Sequence, residues 1–192
     1  ITVIERDVPQ SSIRFGHIGI KRDDPDFMNA YVMNHILGGG GFGSRLTDEV
    51  REKRGLSYSV YSTFYPLEQG GVFFGGAATV NERVSETIEV VRSALKKMAD
   101  EGPTAEELAE AKTYLTGSYA LRFDNSRKIA GQLLGIQRQN LGIDYVVRRN
   151  DLVNAVTLAD VKKVAKRIIS GDSLVITIVG KPKGVKSDGT KG

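Results

Sequence analysis

Residues 37–46 read LGGGGFGSRL, and Gly38, Gly40 and Gly43 satisfy the spacing G-x-G-x-x-G. In a dinucleotide site such glycines follow a strand and open a helix, so that the pyrophosphate rests on the helix N-terminus. Here the residues before the glycines repeat helically, with apolar side chains at Phe27, Tyr31, Val32, Ile36 and Leu37, so a helix leads into the run. No acidic residue ends a second strand about twenty residues further on, and Gly-Ser-Arg stands where a P-loop needs Gly-Lys-Ser or Gly-Lys-Thr. Nucleotide binding is therefore disfavoured. The glycines read as a helix-to-helix connection, either a plain turn or bare backbone that another chain can approach closely. Other chemistry-bearing residues are sparse. The two histidines, His17 on a strand and His35 on a helix, have no partner at H-x-x-x-H or H-x-x-E-H spacing, so no zinc-binding helix is encoded. There is no G-x-S-x-G and no cysteine, which removes serine-elbow and thiol nucleophiles, thiolate metal sites and disulfides. Asp and Glu are plentiful but fall on solvated helix faces. Arg127, Lys128, Arg138, Arg148 and Arg149 sit at varied helical phases without interleaved aromatics, which matches no nucleic-acid module. Alone, the chain lacks the residues of a complete enzyme.

The elements that must position these residues follow from periodicity. Residues 13–20 alternate as a strand. Asp24 is expected to cap the next helix with Pro25 at its first position; the helix stops at the glycines. Residues 44–54 carry Leu46 and Val50 on one stripe of a short charged helix. Residues 56–65 and 72–80 alternate or run apolar across a turn at Pro66–Gly71, which predicts a hairpin. Tyr58, Val60, Ser62 and Phe64 are expected on one face, with Ser59, Tyr61 and Thr63 on the other. Asn81 is expected to cap a long helix through Met98, ended by Gly102 and Pro103. Thr104 and Glu107 spell a capping box for a helix to about Leu121. Further helices are expected over 125–140 and 144–154, and one opened by Thr157 and Asp160; residues 173–180 form a last strand. Strands cluster through a hairpin and helices cluster after it. The fold class is α+β, an antiparallel or mixed sheet with helices packed on one face.

The 192 residues are 40% hydrophobic and 26% charged. At this size folding buries roughly 70% of the chain's surface, enough for one substantial core. A formal charge of +4 permits only weak attraction to acidic partners. No apolar run approaches the ~20 residues of a membrane span. Residues 1–182 read as a single domain. Residues 183–192, polar and rich in Gly and Lys, read as a disordered tail or an expression remnant. The chain begins at Ile1 rather than Met and is expected to be a piece of something longer.

The string DDPDFMNAYVMNHILGGGGFGSRLTDEVREKRGLSYSVYS, from Asp23 to Ser62, resembles the C-terminal, non-zinc-binding domain of the M16 (insulinase) metallopeptidases. That family includes insulin-degrading enzyme, the mitochondrial processing peptidase and many bacterial zinc proteases. The resemblance continues through Gly102–Lys112 and the terminal helix and strand, covering about Ile4 to Gly180. It implies an α+β half of the LuxS/MPP-like metallohydrolase type, whose sister half carries H-x-x-E-H and the zinc. This chain would bind no metal or other cofactor itself. It would face a catalytic domain or subunit bearing H-x-x-E-H and complete a chamber for peptide substrates; a dimer is allowed. The resemblance further implies that Arg51 and Tyr58, seven positions apart in REKRGLSY, reach the zinc site. Gly38, Gly39, Gly40, Gly41, Phe42 and Gly43 would be a substrate-handling loop, shorter than its counterpart in the non-catalytic subunit of the mitochondrial processing peptidase. Two alternatives stay open: a non-catalytic scaffold of the same fold, and a peptide-binding module using a free sheet edge. Without the resemblance, the residues favour Arg51 as a surface helix charge and Tyr58 as a sheet-face aromatic. The resemblance leaves the compartment open between bacterial periplasm and cytoplasm.

Overall fold

Period-two alternation places one side chain in two toward a core, and the strands obey it. A computed structural model describes residues 1–169 and 174–188. Within these, β1 (Thr2–Glu5), β2 (Gln10–Ile18), β3 (Val60–Pro66), β4 (Gly71–Val80) and β5 (Val175–Gly180) form one sheet in the order β1-β5-β2-β4-β3. All neighbours are antiparallel except β1 and β5, which run parallel with Thr2 opposite Thr177. Ile13, Phe15, Val60, Phe73, Ala77, Ile176 and Ile178 point to the buried face. The opposite face is open, and leaves Ile18, Val72 and Val175 exposed.

The helices are α1 (Phe27–Asn34), α2 (Val84–Glu101), α3 (Ala105–Gly117), α4 (Ser126–Arg138), α5 (Tyr145–Ala155) and α6 (Leu158–Ile168). The apolar stripe of α2 (Val84, Ile88, Val91, Leu95, Met98) and that of α6 (Val161, Val164, Ala165, Ile168) meet over the sheet, beside Val32 and Met33 of α1. Each large side chain so buried contributes about 1.5–3 kcal/mol relative to exposure. The expected α+β class, with helices on one face of a mixed sheet, is the architecture observed. Both expected capping boxes are formed: Thr104 with Glu107 opens α3, and Thr157 with Asp160 opens α6. Among the described residues no helix is long and apolar enough to cross a membrane.

Several local expectations are corrected. Strand β1 has no counterpart in the sequence reading; four residues give too little alternation, and the strand exists because β5 offers it an edge. Helix α1 begins at Phe27 behind Asp26, while Asp24 Oδ1 accepts from the Asp26 N–H at 2.9 Å, so Pro25 lies before the helix. The helix does not stop at the glycines but widens into a π turn, His35–Gly39. The stretch Thr47–Glu52 is likewise π-helical. Asn81 does not cap α2. Its Oδ1 accepts from Ser11 Oγ at 2.6 Å and from the Lys181 N–H at 3.2 Å, and its Nδ2 donates to the Val8 carbonyl at 2.9 Å, so it ties β2, β4 and β5 together. Helix α3 ends at Gly117, and Tyr119–Phe123 is a 3₁₀ turn. Residues 183–188 run back beside β1, where Val3 N–H donates to Ser187 Oγ at 2.8 Å. The rest of the expected tail, 189–192, and residues 170–173 ahead of β5 lie outside the described residues.

Candidate functional site

Arg51 stands near the end of the Thr47–Glu52 turn, whose buried side is Thr47 and Val50. The chain then reverses at Gly55, where φ is 55°, a conformation that L side chains adopt at a cost. Gly55 N–H donates to the Arg51 carbonyl and Leu56 N–H to that of Val50, both at 2.8 Å. The segment after the turn is fastened to β4: Thr79 Oγ1 donates to the Leu56 carbonyl at 2.6 Å, and Ser57 Oγ accepts from the Ala78 N–H at 3.3 Å. With Leu56 and Ser57 buried, Tyr58 is turned outward and is 83% exposed. It precedes β3, so the expectation that it shares the face of Val60, Ser62 and Phe64 does not hold: Val60 and Ser62 point inward. The result brings three sequence-selected residues together. The Arg51 guanidinium carbon lies 4.7 Å from the Tyr58 ring centre and 4.5 Å from that of Phe42. Arg51 Nε is 3.4 Å from Glu52 Oε1, while among the described residues neither Arg51 Nη nor the Tyr58 hydroxyl has a hydrogen-bond partner. The neighbouring Arg54 is committed elsewhere, to the carbonyl and carboxylate of Glu49. Hydrogen bonds from Lys53 and Arg54 hold the Glu49 carboxyl below its usual range.

The glycine run is not one device. Gly38 is buried behind β3: a Cβ there would lie 2.4 Å from Ser62 Oγ and 2.7 Å from the Ser62 backbone nitrogen. Bare backbone is needed so that the π turn can lie on the sheet edge, where Asn34 Nδ2 donates to the Ser62 carbonyl at 3.1 Å and Ser62 Oγ to Asn34 Oδ1 at 2.7 Å. A Cβ on Gly39 would stand 2.7 Å from Asn34 Nδ2, and one on Gly40 2.7 Å from the His35 carbonyl oxygen and 3.1 Å from its ring. Gly41 turns the chain at φ 63°, and Phe42 and Gly43 project into solvent beside Arg51. The loop is braced from below by Arg45, whose Nε and Nη2 donate to the two Glu107 carboxylate oxygens at 2.6 and 2.7 Å and whose Nη2 also reaches the Gly102 carbonyl. Burial works to raise the Glu107 carboxyl, but the hydrogen bonds from Arg45 and the Thr104 backbone outweigh it and hold it below the usual range. Sequence reading missed this brace, although the capping-box Glu107 was legible. Two cavities flank the turn: one of about 720 Å³ against β3, and one of about 820 Å³ against α3 that Phe42 lines.

Among the described residues, the histidines and carboxylates do not fit a zinc site. His17 Nδ1 lies 2.7 Å from the Ile18 carbonyl and its ring stacks on Phe73, whereas His35 stacks on Tyr114. Burial lowers both imidazoles' pKa, and Arg122 and Arg149 lower His35 further. Among the described residues no three His, Asp or Glu side chains are grouped to hold a metal ion.

Comparison with known proteins places the fold in a family. The family model of the peptidase M16 inactive domain matches residues 1–115. An uncharacterized zinc protease of Mycobacterium tuberculosis is 31% identical over 176 residues, 88% of this chain and 39% of the relative. A non-peptidase homolog from Helicobacter pylori is 34% identical over 121 residues, 62% of this chain and 28% of that protein. The chain thus spans about two fifths, or less, of these relatives' length. The crystal structure of a peptidase M16 inactive domain from Pseudomonas fluorescens superposes with a TM-score of 0.87 at 36% identity, covering 97% of this chain and 44% of that one.

Proposed function

Because the chain belongs to the peptidase M16 family, as its inactive domain, we propose that it is the non-zinc half of a metalloendopeptidase. In this reading it closes a peptide chamber against a catalytic half, on the same polypeptide or a partner, and lends Arg51 and Tyr58 to the reaction there. The observation that carries the reading is the clustering of Arg51, Tyr58 and Phe42, with both Arg51 Nη groups and the Tyr58 hydroxyl free to donate. The metal, supplied by the other half, would polarise the scissile carbonyl. Hydrolysis passes through a tetrahedral oxyanion, and donors aimed at it in a water-poor chamber lower the barrier. Tyr58 offers one O–H and Arg51 a planar set of N–H groups. The two rings against Arg51 limit its rotamers, so less entropy is lost when it engages the peptide. Gly38–Gly43 and Phe42 form the wall along which the peptide is handled; the exposed members, Gly39, Gly41, Phe42 and Gly43, are the ones that meet it. The open sheet face, with Ile18 86% and Val175 65% exposed, supplies an uncovered surface for such a chamber.

Hydrolysis of a quenched fluorescent peptide tests this, with the chain alone and then mixed with the H-x-x-E-H half encoded with it. Activity should appear only on mixing. In the mixture Arg51→Ala and Tyr58→Phe should each lower turnover by roughly 10²–10³-fold, the usual cost of one oxyanion donor, with zinc content unchanged. Near-native turnover in both variants refutes the assignment. The Helicobacter pylori non-peptidase homolog favours one second reading, a scaffold that binds its partner without chemistry. Silence of the mixture despite stable association would select it.

A further inference from the structure

A second constellation lies away from Arg51, in the cavity of about 310 Å³ bounded by α1, α4, α5 and the Tyr119–Phe123 turn. Three arginines line it: Arg22, Arg122 and Arg149. Arg149 is only 3% exposed, yet among the described residues it has no ion-pair partner. Its guanidinium donates to neutral acceptors alone: the Leu115 carbonyl at 2.6 Å, Asn150 Oδ1 at 3.0 Å and the Tyr31 hydroxyl at 3.2 Å. Arg122 donates to the same hydroxyl at 3.3 Å, and Arg22 Nε to Gln139 Oε1 at 2.9 Å. Among the described residues no carboxylate lies within ion-pairing distance of any of the three. The nearby acids are engaged elsewhere: Asp24 and Asp26 with Arg167, Asp124 with Lys128, and Asp144 with Arg148. The hydrogen bonds of Arg149, with the Tyr31 and Tyr119 rings 5.5 and 4.6 Å from its guanidinium carbon, offset part of the cost of burying the cation, but no counter-charge among the described residues neutralises it.

The hydroxyls add an independent observation. Tyr31 Oη accepts from two guanidinium groups, so its own proton is left to donate elsewhere. Tyr119 is 7% exposed, and its hydroxyl is buried with no hydrogen-bond partner among the described residues. Both line the cavity, as does Tyr145, whose ring lies 5.3 Å from the Arg22 guanidinium carbon. Positive charge and spare O–H donors therefore converge on one half-open cleft that is walled by aromatic rings. That combination suits an oxyanion carried on an apolar body. The 720 Å³ cavity along β3 and the glycine turn adjoins this space, with Phe27, Tyr31, Phe64 and Arg122 in the walls of both.

We propose that this cavity is an oxyanion-binding site that anchors the C-terminal carboxylate of a peptide whose preceding residues lie along the glycine turn. The proposal rests on the reading of this chain as a peptide-handling domain, but it is tested by binding to the chain alone, where no hydrolysis is required. Failure here leaves the Arg51 and Tyr58 assignment standing.

The experiment is calorimetric titration of the full chain at low salt with two forms of acetyl-AAFAAF, one with a free C-terminal carboxylate and one amidated, and with sodium phosphate as a separate probe and competitor. The free acid should bind at least tenfold more tightly than the amide, and phosphate should compete with it. Arg122→Gln should weaken the acid about tenfold and Tyr119→Phe severalfold, while both variants retain the native circular dichroism spectrum. Arg127→Gln removes the same charge from α4 outside the cavity walls and should change nothing. Equal binding of acid and amide with competing phosphate overturns the peptide-terminus assignment in favour of free phosphate. Equal binding with no effect of phosphate, or equal weakening by Arg127→Gln, overturns the site altogether.

Discussion

Placing alanine at each of three glycines in the 38–43 run separates packing from turning. At Gly38 the added methyl would stand 2.7 Å from the Ser62 backbone nitrogen and from Leu46 Cδ1, and 2.4 Å from Ser62 Oγ. The serine hydroxyl can rotate, but a strand backbone in register with β4 cannot retreat without disturbing the Ser62–Gly75 pair. Overpacking of this kind costs roughly 1–3 kcal/mol, while the better helix propensity of alanine returns at most about 1 kcal/mol. A net loss of about 1–2 kcal/mol is expected, or about 2–8 °C in Tm for a domain of this size. At Gly41 the methyl meets nothing within 4 Å, but φ is 63°; the left-handed backbone alone costs roughly 1–2 kcal/mol. At Gly43 there is neither a neighbour within 4 Å nor a positive φ, so the change should fall within about 0.5 kcal/mol. Urea melts followed by far-ultraviolet circular dichroism give the three values. A neutral Gly38→Ala, or a Gly43→Ala as costly as Gly38→Ala, would refute the division of the run into packed and free glycines. If the division holds, Gly43→Ala is the variant in which peptide turnover can be read without a stability loss.

Glu107→Gln keeps a cap acceptor but loses the charge that Arg45 grips, and should destabilise the fold by about 1–3 kcal/mol at neutral pH. Because the folded Glu107 carboxyl titrates below its unfolded value, its contribution is full above about pH 4.3 and fades as pH falls toward the folded value. The gap between wild type and variant should therefore close in acid, and a gap that widens there would refute the pairing. Asn81→Ala removes three hydrogen bonds that join the ends of β2, β4 and β5. A loss of about 1–3 kcal/mol in urea melts is expected, and no loss would mean that water replaces the side chain. Thr157→Ala should cost about 0.5–2 kcal/mol by the same assay, as the loss of a formed capping box.

Legibility followed the range of the forces involved. Capping boxes act within four residues, and both were readable from Thr104 and Thr157. The β3–β4 hairpin was readable because alternation and the Pro66–Gly71 turn are local. What could not be read depends on distant partners. Strand β1 is a strand only against β5, and Asn81 looks like a helix cap until Ser11 and Lys181 are brought to it. The π turn at His35–Gly39 packs on β3 at Gly38, a contact with residues more than twenty positions away. At the candidate site, the Arg51 and Tyr58 spacing came from resemblance rather than from periodicity, and alternation put Tyr58 on the wrong side because it assumed a strand that starts two residues later. Phe42 was legible only as part of a glycine loop; its ring contact with Arg51 is tertiary. The arginine cavity was invisible because Arg22, Arg122 and Arg149 lie on three separate elements.

The sheet order carries a consequence for how the chain assembles. Strand β2 is flanked by β4 on one side and by β5 on the other, and β5 is the last of the described strands in chain order. During synthesis β2, β3, β4 and α1 can associate early, but one long edge of β2 then waits, with its ladder groups unpaired, until residues 175–180 emerge. β1 waits for the same segment. Contacts of such long sequence separation slow folding and leave an open strand edge in the intermediate. Loss of the final strand would therefore not trim the domain at its margin. It would strand β1 and expose the centre of the sheet, so a chain interrupted before Val175 is expected to aggregate rather than to persist as a shortened fold.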